Sequence, residues 1–422
     1  MSTTSMNNPT RNIRRSFSSV WIRCVGGVVA GVMAWMLMAA PLTAQIALRA
    51  DTVHTMTGDP IINGVVLIEG STIADVGPAD AVDIPDGATV YEGTVITPGL
   101  VDPRGTVGLS GIYNVDSDQD QLDTTAPMQP ELRAIDAYNP QEELVAFLRD
   151  QGITTVHTGH GPGALISGQT ATFKTTGETV DDASLSDISA LSMTLGPAAT
   201  QRFSSPGTRA KGAAMLRDMF LQAERYRDTP EDERERNLPM EVLVQVLDGE
   251  IPAFIQAHRS HDIMTALRLA EEFGFNLVLE GAAEAYLVTE EIAEADIPVV
   301  LHPPKIRPFG AAENAQLTTA GELHAAGIPV AIQSGYEAYV PKTRVVLFEA
   351  GVAAANGLPH EAALASITRT AADIIGQSDV IGTLEPGKHG DVVLYNGNPF
   401  EYVTNACTVV IEGEVVKEDG CS

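Results

Sequence analysis

Four histidines stand at or just past short apolar runs that read as strands: His157 and His160 in VHTGH, His258 in IQAHR and His302 in VVLHPP. Neutral imidazole is a good ligand for borderline divalent metals, and a carboxylate beside such a cluster can activate water as a base. Glu280, in LEG, and Glu337, in SGYE, are the carboxylates placed for that work. If the strand ends converge, His157, His160, His258 and His302 make a metal site with Glu280 or Glu337 as the base. The opposing reading gives each histidine a local hydrogen bond. Arg104 offers a different chemistry. Its planar guanidinium suits a bidentate clamp on a substrate carboxylate, or equally a salt bridge to a neighbour such as Asp102. The glycine-rich residues 160–164 either present backbone N–H groups to an anion or form a plain tight turn. Asp262, in SHDI, caps its helix or lies in the first turn.

Strands and helices must bring these groups together. From residue 100 onward, apolar runs alternate with amphipathic helices, the pattern of a parallel sheet or barrel. Strands are expected at 100–102, 154–158, 172–175 or a neighbouring stretch, 254–257, 276–279, 299–302 and 330–333, with one more near 191–195. Helices are expected at 209–225, 261–273 and 360–375, the last from its stripe of Ala363, Leu364, Ile367, Ala371 and Ile374. About eight such strands suit a TIM-type barrel of roughly 250 residues, whose C-terminal strand ends carry the site. Residues 45–97 and the tail from Gly382 are strand-like instead, punctuated by turns such as Asp86-Gly87. The charged stretch 226–239 reads as surface.

The 422 residues carry a net charge of −29, with 44% hydrophobic and 19% charged residues. That is a globular composition, and the acidity argues against a nucleic-acid partner, whose phosphates need clustered Lys and Arg. Residues 1–44 differ from the rest. Arg11, Arg14, Arg15 and Arg23 come with no acid, and an apolar run from Val25 ends in small residues at Ala44. This is the order of a cleaved secretory signal, which places the mature protein in the periplasm or outside the cell with no stable membrane anchor. A retained anchor is the competing reading. Cys24 lies in that segment, so Cys407 and Cys421 are the cysteines of the mature chain. In an oxidising compartment such a pair is expected to bridge, and free thiols are the alternative.

Four blocks carry a family resemblance: GTVITPGLVD; QGITTVHTGHGPGA; the pair AHRSHDIMTALRLAEEFG and NLVLEGAAEAY; and ASITRTAADIIG followed by IGTLEPGKHGDVVLYNGNPFE. Together they resemble the amidohydrolase superfamily, particularly its imidazolonepropionase-like branch, over nearly all of the chain beyond residue 44. The resemblance implies an α/β fold: a TIM-like (β/α)8 barrel over 98–379 and a small β-sandwich assembled from 45–97 and 380–422. It implies hydrolysis of a carbon–nitrogen bond in a small amide or peptide-like substrate, with zinc or another divalent metal. The family holds its metal with PGLIDxHxH on the first strand, histidines on the fifth and sixth, and an aspartate on the eighth.

Here Arg104 and Thr106 replace the first pair, and Gln256 or His258 takes the fifth-strand place. Glu280-Gly281 brings no histidine on the sixth. Ser334-Gly335 stands where Ser-Asp is expected, leaving Glu337 as the substitute carboxylate. Lys174 falls where some branches carry a carbamylated, metal-bridging lysine. Two readings stay open. One is a hydrolase whose metal has moved to the histidines. The other is a silent relative, without metal, that binds a ligand, associates with itself, or pairs with an active paralogue.

Overall fold

Both chain ends contribute to a single sheet. The computed structural model describes residues 45–113, 115, 117, 119–336 and 345–421; the signal-like segment 1–44 lies outside them. The first four strands are β1 (Gln45–Val53), β2 (Ile61–Glu69), β3 (Thr72–Pro78) and β4 (Thr89–Pro98). Eight more follow: β5 (Leu100–Gly105), β6 (Ile153–Thr158), β7 (Ile166–Lys174), β8 (Ser184–Thr194), β9 (Ala253–Ala257), β10 (Leu277–Gly281), β11 (Val299–Leu301) and β12 (Val330–Ile332). The tail adds β13 (Val392–Tyr395), β14 (Ala406–Ile411) and β15 (Glu414–Glu418).

The first and last groups join as a seven-stranded sheet in the order β15-β14-β13-β4-β1-β2-β3. Side chains alternate across a strand, and β13 shows how this ties the ends together. Val392 and Leu394 pack with Leu48, Val66 and Ile96, whereas Val393 and Tyr395 join the core that the barrel also enters. Cys407 in β14 is bonded to Cys421, across a separation of 14 residues. This meets the expectation from the sequence. Opening the bridge with Cys407→Ser should cost at most about 3 kcal/mol, the entropy of a loop of this size. Urea unfolding should show a lower midpoint, with a slope equal to or slightly above that of the wild type because the opened chain unfolds to a less compact state; an unchanged midpoint would mean that the tail is held without the bond.

The middle eight strands line up in chain order, β5 to β12, with helices between most of them. Neighbours are parallel as a (β/α)8 barrel requires, except around β7, which runs antiparallel to both β6 and β8. The expected parallel strand at 172–175 is therefore reversed. Only residues 159–165 separate β6 from β7, too few for a crossover, which takes a dozen or more.

The reversal also corrects the reading of Lys174. A backward strand ends at the N-terminal face of the barrel, and Lys174 lies there, opposite Thr155. It is buried and ion-paired with Asp391, which also accepts the Thr154 hydroxyl at 3.3 Å. Lys174 joins barrel to tail at the face that serves stability; it is not at the mouth.

The helix expected over 360–375 is broken into His360–Ala365 and Arg369–Ile374. The break falls between the two edge strands of the barrel. Ile332 N donates to Ser366 O at 3.1 Å, and Val101 N donates to Ile367 O at 2.8 Å. The interruption thus frees backbone carbonyls to stitch β12 to β5. Helices Arg209–Asp228 and Ser260–Phe273 form close to their expected bounds, with Asp262 in the first turn of the second. No described helix is long and apolar enough to cross a membrane.

Candidate functional site

Strand alternation sets a polar layer on top of an apolar one. Inside the barrel Val101, Ala190, Phe254, Val278, Val300 and Ala331 pack together. Two residues further along the same strands, on the same face, come Ser192, Gln256, Glu280, His302 and Gln333. All are buried. This layer sits at the C-terminal strand ends, where barrel active sites are built.

Arg104 enters the layer from β5 and is 0% exposed. Its Nε donates to Glu280 Oε2 at 3.1 Å, and its Nη1 to Gly105 O at 3.3 Å. Its Nη2 donates to His160 O at 2.6 Å and to Ser192 Oγ at 2.7 Å. The Tyr336 ring lies 5.1 Å from the guanidinium carbon, a cation–π distance. Gln256 donates to the other Glu280 oxygen at 3.3 Å. Burial opposes the charge on Arg104, but the facing Tyr336, Glu280 and Asp102 outweigh it, and its pKa is raised. The guanidinium is spent on the protein itself. A clamp on a substrate carboxylate, one of the two expected roles, is not what this geometry supplies; the salt bridge of the other reading forms with Glu280 and not with Asp102.

The four histidines do not share a centre. His157 Nδ1 lies 2.7 Å from Pro103 O, which can only accept, so that nitrogen carries the proton; Nε2 then accepts from Thr170 Oγ1 at 2.6 Å. Both ring nitrogens are used, which is the local hydrogen-bonding reading. Burial, with the Arg104 charge, pushes His157 down to about 3. His160 follows β6 with both ring nitrogens buried and unpartnered; burial and Arg104 hold it near 4, against the pull of Asp123. His258 and His302 are neighbours: burial lowers His258 to about 3, and His302 adds to that shift. Burial also lowers His302 to about 4. Gly281 lies beside His258 at a φ of +80°, and a Cβ there would meet the imidazole at 2.8 Å. This is the place where the family pattern has a histidine, and the turn has no room for one.

The fold implies a divalent metal in this layer, and the residues present do not fit one. The first strand delivers a cation, His157 has no free nitrogen, and Glu280 is ion-paired with Arg104 and bonded by Gln256. Among the described residues no group of three His, Cys, Asp or Glu side chains could hold a metal ion. The expected four-histidine site is not assembled. Glu337 lies outside the described residues.

Sequence reasoning missed Asp102, weighed only as a partner for Arg104. Its Oδ1 accepts the backbone N–H groups of Arg104 and Ser334, each at 3.2 Å, while Oδ2 is buried without a partner. Burial raises it to about 6, against the lowering effect of hydrogen bonds from Ser334 and Arg104. Its signal was its place in PGLVD, two residues before Arg104. Tyr336 was missed too; burial raises its phenol well above the ordinary value, Arg104 opposes that rise, and Glu280 adds to it.

The segment between β5 and the helix Glu143–Asp150 lies over the mouth: Gly161 N donates to Gln121 O, and Gln169 N to Leu132 O. The glycine-rich 160–164 turn is partly closed off by this contact. A groove of about 1670 Å³ opens elsewhere, past Pro252, Asn276, Pro298 and Pro329, which precede β9 to β12. That is the N-terminal face, remote from the polar layer.

Comparisons with known proteins agree with this architecture. A family model described as the amidohydrolase family matches residues 288–417. The crystal structure of an amidohydrolase from Thermotoga maritima MSB8 has a TM-score of 0.82 at 30% identity, covering 88% of this chain and 100% of that one. An adenosine deaminase from Xanthomonas campestris with bound zinc shares the fold, with a TM-score of 0.54 at 13% identity over 90% of this chain and 94% of that one. Amidohydrolase tasK of Hapsidospora irregularis is 24% identical over 402 residues, or 84% of this chain. The chain spans only 40% of the length of that curated relative. With the barrel, the composite sheet and these matches in place, the chain belongs to the amidohydrolase family.

Proposed function

We propose that this chain is an exported member of the family that binds a small amide or peptide-like ligand at the barrel mouth without a catalytic metal. One observation carries the reading: the buried Arg104 guanidinium, held by Glu280, Ser192 and the His160 carbonyl, fills the centre of the layer with a fixed positive charge. A divalent metal placed there leaves the layer positive beside the guanidinium and meets no complete donor set. The Cys407–Cys421 bond supports export, since such bonds persist in oxidising compartments.

A second reading, carbon–nitrogen bond hydrolysis around a relocated divalent ion, draws on His258 Nδ1 and His302 Nε2, which are buried without partners. Metal analysis by mass spectrometry separates the two. After incubation with zinc and removal of free ion, well below one zinc per chain is expected, with no change in His258→Ala or His302→Ala. One zinc per chain that disappears in those variants would replace the first reading with the second.

A further inference from the structure

Three buried acceptors on the β11, β12 and β5 side of the layer have no donor. His302 Nδ1 lies 2.8 Å from Pro303 O and must donate to it, which leaves Nε2 as a bare lone pair. Gln333 Nε2 donates to Val300 O at 3.1 Å, which fixes the amide orientation and leaves Oε1 bare. Asp102 Oδ2 has no partner of ordinary hydrogen-bond geometry, with the Ser334 side chain beside the carboxyl. His302 and Gln333 are 1% exposed and Asp102 is 0% exposed. They are adjacent staves: Gln333 N donates to Leu301 O, and Ser334 N to Asp102 Oδ1. Buried polar atoms without partners are rare in native proteins, and each calls for an explanation.

We propose that His302 Nε2, Gln333 Oε1 and Asp102 Oδ2 form a receptor for a primary ammonium group, such as the amino group of an amino-acid amide. The proposal rests on the metal-free reading above and names the group that its ligand presents. All three atoms accept, and an ammonium carries three donors on one atom. Charge agrees. Arg104 and Glu280 neutralise each other, so Asp102 is the carboxylate of the layer with no ion pair of its own. A monocation brings the layer to neutrality, whereas a divalent metal leaves it positive beside a guanidinium that cannot move away. Water supplies only two donors and no charge.

Thermal unfolding of the purified chain tests this, with methylammonium chloride and alaninamide hydrochloride as probes. Potassium chloride at equal ionic strength is the reference, and zinc chloride is a separate arm. Both amines are expected to raise the midpoint saturably above the potassium reference, since a ligand that binds only the folded state stabilises it. Asp102→Asn keeps the acceptor for Arg104 and Ser334 and should weaken apparent affinity about tenfold or more; Gln333→Met should act in the same direction. If Asp102→Asn fails to fold, Gln333→Met decides. Absence of a saturable amine effect overturns the proposal, as does an effect that the folded variants retain. A response to zinc alone, lost in the variants, overturns it in favour of a metal nest. Tightly bound zinc with an unchanged amine response would sink the metal-free reading and leave the ammonium receptor standing.

Discussion

Replacing Arg104 with methionine should lower stability by about 3–5 kcal/mol, the usual result of deleting one partner of a buried ion pair. The loss comes from what is left behind. Glu280, 1% exposed, would keep a buried carboxylate facing Gln256 at 3.3 Å and the neutral Tyr336 phenol, with no cation beside it. Ser192 Oγ and the His160 carbonyl lose a donor in the same step. The double variant Arg104→Met with Glu280→Met should recover much of the loss, because an apolar pair of similar volume is often neutral relative to a buried salt bridge. Urea unfolding of the wild type, both single variants and the double variant gives the coupling directly. If Arg104→Met unfolds at the wild-type midpoint, the guanidinium is not the keystone of the layer.

Acid should unfold this protein early. Burial holds His157 and His258 near 3 and His160 and His302 near 4. In the unfolded chain each takes a proton near 6.5. Below that pH the unfolded state binds protons that the folded state refuses, so stability present at neutral pH is lost as pH falls. Asp102, raised to about 6, works in the opposite sense: the folded state holds its proton between its unfolded value and 6, and gains stability as pH drops through that window. Four groups against one give a net slope of up to ~4 kcal/mol per pH unit between pH 6 and 4. Unfolding midpoints taken from pH 7.5 to 4 should fall steeply across this range. His157→Gln, which removes one such group, should flatten the curve by about one proton. A level profile between pH 7 and 5 would mean that the histidines are charged or solvated in the fold.

The fold was legible where local chemistry repeats. PGLVD, the alternating apolar runs and the tail from Gly382 pointed to a barrel with a small β-sandwich drawn from both chain ends; the barrel is present, and the two ends join in one separate seven-stranded sheet. Even the central anomaly, Arg104 in a metal ligand's place, could be read once the residues were set against the family's first-strand pattern. What escaped was whatever depends on direction or on distant partners. The strand around Thr172 reads the same forwards and backwards, so its reversal and the displacement of Lys174 to the other face could not be seen. The apolar stripe of 360–375 is helical throughout, yet tertiary bonds to Val101 and Ile332 outweigh it at Ser366 and Ile367. His157 looked like a ligand because Pro103 and Thr170, which occupy its two nitrogens, are far from it in the chain. Asp102 looked like an ion-pair partner for Arg104, and only the fold reveals that Glu280 takes that place.

The seam between β12 and β5 changes how the cylinder coheres. Elsewhere each stave is gripped by another stave; at this joint the grip is a short piece of chain between two helices. Roundness is thus inherited from how His360–Ala365 and Arg369–Ile374 are seated, and anything that shifts one against the other loosens the hoop. Asp102 and Gln333 flank that joint, so the side of the layer they form depends on how those two helices are seated.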